Sequence, residues 1–352
     1  MKRRLLQWLA CPSCRSRLEP SVQQESGEEI IKGMLVCSGC SRSFPVVGGI
    51  PRFVGSDQYA SSFGYQWNRH AEVQLDSRNG TRFSETRFRA ITGWTPEKMK
   101  GSLTLDVGCG AGRFAEVALA DGSEVVAMDL SSAVDACQRN LGAHPRLHVV
   151  QASIYEMPFR DFTFDRAYCI GVIQHTPDPR RSIASIARMV AEHGSLGLWI
   201  YEISWKAFIG TVGFKYLFRP LTMNRSIEQI EKFSIALERA FWPILRWGRS
   251  RGLAGRLVMR MLPVSSAHLH GLPLSDEHFR EWVRLDTFDM YSPAHDHPQT
   301  FPTVRRWLDE EGFATEPRHP HGGVSITARR SCGTAIASKK SVSPDLKGDH
   351  GV

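Results

Sequence analysis

The 352-residue sequence predicts a doubly wound α/β fold, and three observations predict it. An apolar run, Leu103-Thr104-Leu105-Asp106-Val107, ends in the glycine-rich turn Gly108-Cys109-Gly110-Ala111-Gly112, and a helix-like segment starts at Arg113. About one strand further on, Glu124-Val125-Val126-Ala127-Met128-Asp129 is a second apolar run that ends in an acid. Three more strand-like runs follow at 147–152, 162–172 and 194–201, the last two separated by a helix-patterned stretch at 178–190 with Ile183, Ile186, Ala187 and Val190 on one face. Strand, glycine loop, helix, strand, acid is the arrangement in which a parallel sheet holds a nucleoside.

Composition bounds the rest. Apolar residues make up 42% and charged residues 23% of the chain, ordinary values for a globular protein. No run of 18 uncharged apolar residues occurs, so no membrane-spanning helix is expected. Met1-Lys2-Arg3-Arg4 before Leu5-Leu6-Gln7-Trp8-Leu9-Ala10-Cys11 is too short and too polar for a secretory leader, and the expectation is a cytoplasmic protein. The net charge of +8 is carried by one segment: residues 203–271 hold eleven Lys/Arg against three Glu.

At the N-terminus, Cys11-Pro12-Ser13-Cys14 and Cys37-Ser38-Gly39-Cys40 form two C-x-x-C knuckles. Two thiolates from each of two tight turns complete a tetrahedron, so the spacing predicts a Cys₄ zinc site; disulfides or free thiols are the alternatives. Four protein ligands leave no open position, which makes such a site structural. Residues 17–19 and 30–36 read as a hairpin between the knuckles. With Leu5-Leu6, Leu9-Ala10 and the run Arg42 to Phe53, residues 1–55 resemble the small zinc-ribbon proteins that activate tRNA, rRNA and protein methyltransferases. The resemblance implies a ribbon that stabilises an enzyme, here fused to it.

The glycine loop is not of the dinucleotide type G-x-G-x-x-G, because Arg113 stands at the third glycine. Asp106-x-Gly108-x-Gly110-x-Gly112 resembles instead motif I of class I S-adenosylmethionine methyltransferases. That resemblance implies a loop passing the methionine part of the cofactor, Asp129 on the ribose, and Ser153 and Ile154 at the adenine. The expected cofactor contacts are Asp106, Gly108, Cys109, Gly110, Gly112, Asp129, Leu130, Ser153, Ile154 and Ile170, with Phe63, Gln66 and Trp67 closing over them from residues 56–102. A tight strand–helix turn without a ligand is the alternative. The stretch from Phe162 to Pro179 looks like the small-molecule methyltransferases of ubiquinone and menaquinone biosynthesis. No Asn-Pro-Pro-Tyr and no Pro-Cys follows this strand, which argues against amide, adenine-amino or cytosine-C5 methylation.

The expected organisation is therefore a zinc ribbon (1–55), a helical cap or linker (56–102), a cofactor core (103–202), a basic helical lid (203–300), the end of the core (301–330) and a disordered tail (331–352). Residues 303–311 read as a helix, and 314–318 with 324–328 as the antiparallel closing hairpin of a seven-stranded Rossmann-like sheet. The lid ends in Ala294-His295-Asp296-His297-Pro298. Its histidines beside a carboxylate suit a general base, so His295 and His297 (with Asp296) are the first catalytic candidates and His175 the third. Trp205, Phe208, Phe214, Tyr216, Phe218, Phe233, Phe241, Trp242 and Trp247 interleave with the cations of the lid, and Ile230, Phe233, Leu237, Phe241, Ile244 and Leu245 form an apolar stripe. A packed lid, an interfacial surface reaching a lipid-linked acceptor, and an RNA-binding surface compete. The reading is O-methylation of a small molecule of the saccharide, lipid-linked or secondary-metabolite kind, with no obligate protein partner; an rRNA or tRNA methyltransferase and a non-catalytic adaptor are the rivals.

Overall fold

The computed structural model describes residues 1–55, 60–203, 211–222, 224–316 and 322–331. Trp205, Phe208, Arg318 and the 332–352 part of the expected tail lie outside them.

Strands β1 (Leu18–Ser26), β2 (Glu29–Cys37), β3 (Ser43–Val47) and β4 (Ile50–Pro51) form an antiparallel sheet in that order. Two helices and two short turns of helix follow: α1 (Ser61–Arg69), α2 (Asp76–Asn79), α3 (Phe83–Thr92) and α4 (Pro96–Met99). The core then runs β5 (Leu103–Val107), α5 (Arg113–Ala120), β6 (Glu124–Asp129), α6 (Ala133–Leu141), β7 (Leu147–Gln151), β8 (Phe164–Ile170), α7 (Pro179–Met189) and β9 (Val190–Ile200). Among the described residues, four α-helices make the insertion: α8 (Thr211–Thr222), α9 (Ile227–Arg249), α10 (Gly252–Arg260) and α11 (Asp276–Tyr291). The chain returns through α12 (Phe301–Glu310), β10 (Phe313–Thr315) and β11 (Val324–Arg330).

The second sheet has seven strands in the order β10-β11-β9-β8-β5-β6-β7, with β11 antiparallel to both neighbours. The predicted α/β class, strand count and closing hairpin hold. Strands β5, β6, β7 and β8 are mostly buried because a parallel sheet is covered on both faces. One face carries α3, α5 and α6, packed through Phe88, Ile91, Ala115, Val134 and Cys137. Residues 83–99, expected as cap or linker, are thus partly a layer of the core. The other face carries α7 and α12, through Ile183, Ile186, Val304 and Leu308. Asp178 caps α7, accepting from Arg181 N at 3.0 Å, and Thr300 caps α12.

Between β7 and β8 only residues 152–163 intervene, and they contain no helix. That part of the sheet would be bare without the ribbon. Leu5, Leu9, Ile30, Leu35 and Phe53 join one cluster with Val126, Met128, Val150, Ile154 and Phe159. Main-chain bonds pin the contact: Ala10 N donates to Pro158 O (2.9 Å), Arg160 N to Trp8 O (2.9 Å) and Phe53 N to Gln151 O (2.8 Å). Arg15 reaches the carbonyls of Met157 and Phe159 and the carboxylate of Asp161. The ribbon does the work of a crossover helix and shields the edge of β7.

In the insertion, α11 is the centre. Phe279, Trp282, Val283 and Leu285 are fully buried against Leu245, Met259 and Val73. Glu238 is buried between Arg280 (2.6 Å) and Arg284 (2.8 Å). The predicted stripe on α9 packs inward at Ile230 and Leu245, whereas Ile244 turns out to solvent.

Candidate functional site

The carboxyl ends of β5, β6, β7, β8 and β9 meet on one edge, where an open α/β sheet takes its ligand. A cavity of about 600 Å³ lies there. Its first half is the glycine loop and what faces it: Gly108, Cys109, Gly110, Asp129, Leu130, Ile154 and Ile170, roofed by Phe63 and Trp67 of α1. Gly108 (φ +81°) and Gly110 (φ +52°) adopt left-handed backbone. A Cβ on Gly108 would sit 2.4 Å from Val172, and one on Gly110 3.2 Å from the Trp67 ring. The loop is therefore bare on the side facing the cavity.

Asp129 ends β6 as predicted. Its Oδ2 accepts from Gly110 N (3.0 Å) and its Oδ1 from Ser131 N (2.8 Å) and Ser131 Oγ (2.7 Å). Burial pushes its pKa up from the ordinary carboxylate value, and the bonds from Ser131 and Gly110 oppose that rise.

Four residues expected as cofactor contacts do not line the cavity. Asp106 lies beneath the loop, its pKa pushed up to about 8 by burial. Gly112 (φ +95°) lets the loop approach α6, since a Cβ there would meet Leu141 at 2.7 Å. Ser153 caps its own turn, accepting from Tyr155 N (3.2 Å). Gln66 is buried behind the wall and donates to Asp289 Oδ1 (3.1 Å). Short polar side chains at strand ends serve turns as readily as ligands, and sequence does not separate the two.

The second half of the cavity is polar: Arg87, Arg113, His175, Tyr201, Lys215, Tyr216, Arg260, Asp286 and Asp289 all reach it. His175 follows β8 in a short turn of helix and is 4% exposed. Its Nδ1 lies 3.0 Å from His295 O. A carbonyl only accepts, so the proton sits on Nδ1 and the lone pair on Nε2. Nε2 is buried without a hydrogen-bond partner. The ring is wedged between Phe63 and Tyr201, each 5.3 Å away. Burial, with the nearby Lys215 charge, pushes its pKa down to about 4.

The first catalytic candidates are placed elsewhere. Neither His295 nor His297 lines the cavity, and His297 is exposed. Their rings stack at 5.7 Å, and their main chain does the work: His295 O holds His175, and His297 N donates to Gln174 O (2.7 Å). Asp296 turns inward to Lys215 Nζ (2.7 Å), so the expected histidine–carboxylate pair is a buried lysine–carboxylate pair.

Sequence reasoning missed two cations. Arg87 on α3 is half-buried, its Cζ 4.3 Å from the Trp199 ring centroid, and its buried Nε has no partner. Burial lowers its pKa. Arg113 donates to Ser84 Oγ and Gln74 Oε1, both at 2.9 Å, and its pKa is pushed down to about 9 by burial and by Arg87. Arg113 carried a signal, since it replaces the third loop glycine. Arg87 carried none, because α3 reaches the site only through the fold.

Away from the cavity, the Sγ atoms of Cys11, Cys14, Cys37 and Cys40 all lie within 4.8 Å of one another. Cys11 and Cys40 are 3.7 Å apart and Cys14 and Cys37 3.3 Å. Tetrahedral thiolates around zinc sit about 3.8 Å apart for a Zn–S bond near 2.3 Å, so the cluster fits that ion. Arg15 (φ +65°) and Ser41 (φ +58°) follow the second cysteine of each knuckle in the same left-handed turn, and Gly39 N and Cys40 N both point at Cys37 Sγ (3.4 Å).

Residues 2–49 match the family described as Trm112p-like protein, and residues 105–198 match the family described as methyltransferase domain. The ubiquinone biosynthesis O-methyltransferase of Coxiella burnetii is 29% identical over 182 residues, 51% of this chain and 71% of that protein. An uncharacterized protein of Synechococcus sp. is 30% identical over 264 residues, 71% of this chain; the chain spans 53% of that relative's length. Among solved structures, the magnesium protoporphyrin IX methyltransferase of Synechocystis has a TM-score of 0.40 and 13% identity, covering 70% of this chain and 83% of that one. A likeness that weak carries no argument.

Proposed function

We propose that this chain, a class I S-adenosylmethionine-dependent methyltransferase with a Trm112p-like ribbon in the same polypeptide, methylates a hydroxyl oxygen of a small-molecule acceptor, with His175 as the base. The observation that carries the proposal is the unpartnered Nε2 of His175 in the wall shared by the two halves of the cavity. The cofactor supplies an activated methyl group on a sulfonium. His175 Nε2 would take the proton that the acceptor hydroxyl loses as its oxygen is methylated. The protein fixes the geometry and takes the proton.

The residues present fit the cofactor. Asp129 would hold the ribose, Ile154 and Leu130 would flank the base, and the bare loop would pass the methionine chain. Arg87, whose buried Nε lacks a partner, suits the methionine carboxylate. The four thiolates would hold one structural zinc ion remote from the cavity. An Asp129→Ala variant should bind S-adenosylmethionine about 1–3 kcal/mol more weakly by calorimetry, the cost of leaving polar groups unpaired. Unchanged affinity sinks the ribose assignment.

A base that is neutral down to about pH 4 sets the pH profile. Between pH 4 and 6.5 an ordinary histidine charges, but a buried one does not. Turnover limited by His175 therefore stays flat through this window and falls only near 4. Asp289 on the same wall is pushed up to about 6 by burial, so the profile is taken in the wild type and in Asp289→Asn. An acid limb near 6.5 in both refutes His175.

The acceptor class is tested by transfer of labelled methyl groups from the cofactor into cell extract, separated into RNA, protein, lipid and small-molecule fractions. Label in the lipid or small-molecule fraction supports the reading. Label confined to RNA or protein overturns it.

A further inference from the structure

Helix α10 presents apolar side chains to solvent. Leu253, Leu257 and Met261 recur at i, i+4 and i+8, and they are 73%, 56% and 55% exposed. Val258 widens the stripe, and the adjoining end of α9 adds Ile244 and Trp247. The helix is held to the protein by its opposite side: Gly255 lies against Gly248 of α9, and Met259 is buried beside it. Cations flank the stripe. Arg251, Arg256 and Arg260 are exposed and have no acidic partner among the described residues. No helix among the described residues is long and apolar enough to cross a membrane.

The stripe ends at the cavity. Arg260 lines it, as does Thr211 at the start of α8, whose Oγ1 donates to Arg260 O (2.9 Å) and Leu262 O (3.1 Å). Ile203, half exposed, lines the same mouth.

We propose that the α9–α10 hairpin docks on an anionic lipid bilayer surface and sets the mouth of the cavity at the headgroup boundary, where an amphiphilic acceptor can enter. The delivery step rests on the small-molecule reading above; the docking does not. Charge complementarity names the occupant. A row of leucines between arginines places its apolar teeth among acyl chains and its cations among lipid phosphates. An RNA surface would use the cations but leave Leu253, Leu257 and Met261 facing phosphates. A second copy packed face to face would set Arg251, Arg256 and Arg260 against like charges.

The test is co-sedimentation of the full chain with phosphatidylcholine vesicles, with and without phosphatidylglycerol. The wild type should bind the anionic vesicles and release them only in part as salt rises. Leu253→Glu/Leu257→Glu should lose about a hundredfold or more of that binding, since each buried leucine is worth at least about tenfold. Arg251→Glu/Arg256→Glu should lose the preference for the anionic vesicles. Both double variants should keep wild-type cofactor affinity by calorimetry, which shows that they fold. Absence of vesicle binding by the wild type overturns the proposal. So does RNA binding that vesicles do not compete, or a dimer abolished by the leucine substitutions in a chain that ignores vesicles. Failure of the methylation reading shows separately, as docking that persists while no His175-dependent transfer is found.

Discussion

Replacing His175 with alanine should lower turnover by about 10²–10⁴-fold, the usual contribution of a positioned base, while cofactor affinity stays unchanged. The size of the effect follows from how the ring is held. Nδ1–H is committed to His295 O, so only one tautomer is present, with its lone pair on the buried, unpartnered Nε2. Phe63 and Tyr201 fix the ring plane, and the backbone bond from His297 N to Gln174 O fixes the turn that carries it. Among the described residues His268 also lines the cavity, but its Nε2 is engaged by Asp286 Oδ2 at 2.7 Å. His295→Ala and His297→Ala should keep near-wild-type turnover, because each contributes its main chain to the support of His175 and a side-chain change leaves that intact. Steady-state rates with calorimetry of the cofactor decide the point. Full turnover in His175→Ala, or loss in both loop variants with His175 dispensable, removes the assignment.

Cys37→Ser should abolish zinc content and lower stability by more than about 4 kcal/mol, among the largest single-residue effects expected. Cys37 is 2% exposed and belongs to the cluster that joins the ribbon to the sheet. Losing one of four thiolates opens the metal site and buries a hydroxyl in place of a sulfur. The damage does not stay in the ribbon. With no helix between β7 and β8, Val126, Met128, Val150 and Phe159 are covered by Leu5, Leu9, Leu35 and Phe53. A loosened ribbon exposes that face of a parallel sheet, so the cofactor domain should melt with it in a single transition. Metal analysis and thermal melting test this together. Full zinc content in the variant refutes the four-thiolate site, and a wild-type melting temperature refutes the coupling.

Features fixed by local interactions are legible in this sequence, and features fixed by distant ones are not. The glycine loop was legible because left-handed backbone at Gly108 and Gly110 demands glycine at fixed spacing, and the strand ending in Asp129 because a buried parallel strand is written as an unbroken apolar run. The thiolate cluster was legible because each knuckle is a four-residue device. The seven-strand count and the antiparallel closing hairpin followed from the resemblance to a known family, whereas the strand order came from the structure. By contrast, Asp296 beside two histidines reads in sequence as a catalytic pair, yet the side chains at successive positions point apart, and Lys215 from a distant helix takes the carboxylate. Ser153 and Gln66 sit at plausible positions but spend their polar atoms on a turn and on Asp289.

By itself, then, the sequence determined the α/β class, the glycine loop with its acid, and the pairing of the four cysteines into one cluster, all of them consequences of short-range geometry and of hydrophobic period. Only the tertiary structure decided that His175 faces the cavity, that Arg87 reaches it from α3, that α10 turns its leucines outward, and that the ribbon stands where a crossover helix is missing. Each of these depends on which faces of distant elements meet, and burial against a partner far along the chain leaves no mark on the local spacing of residues.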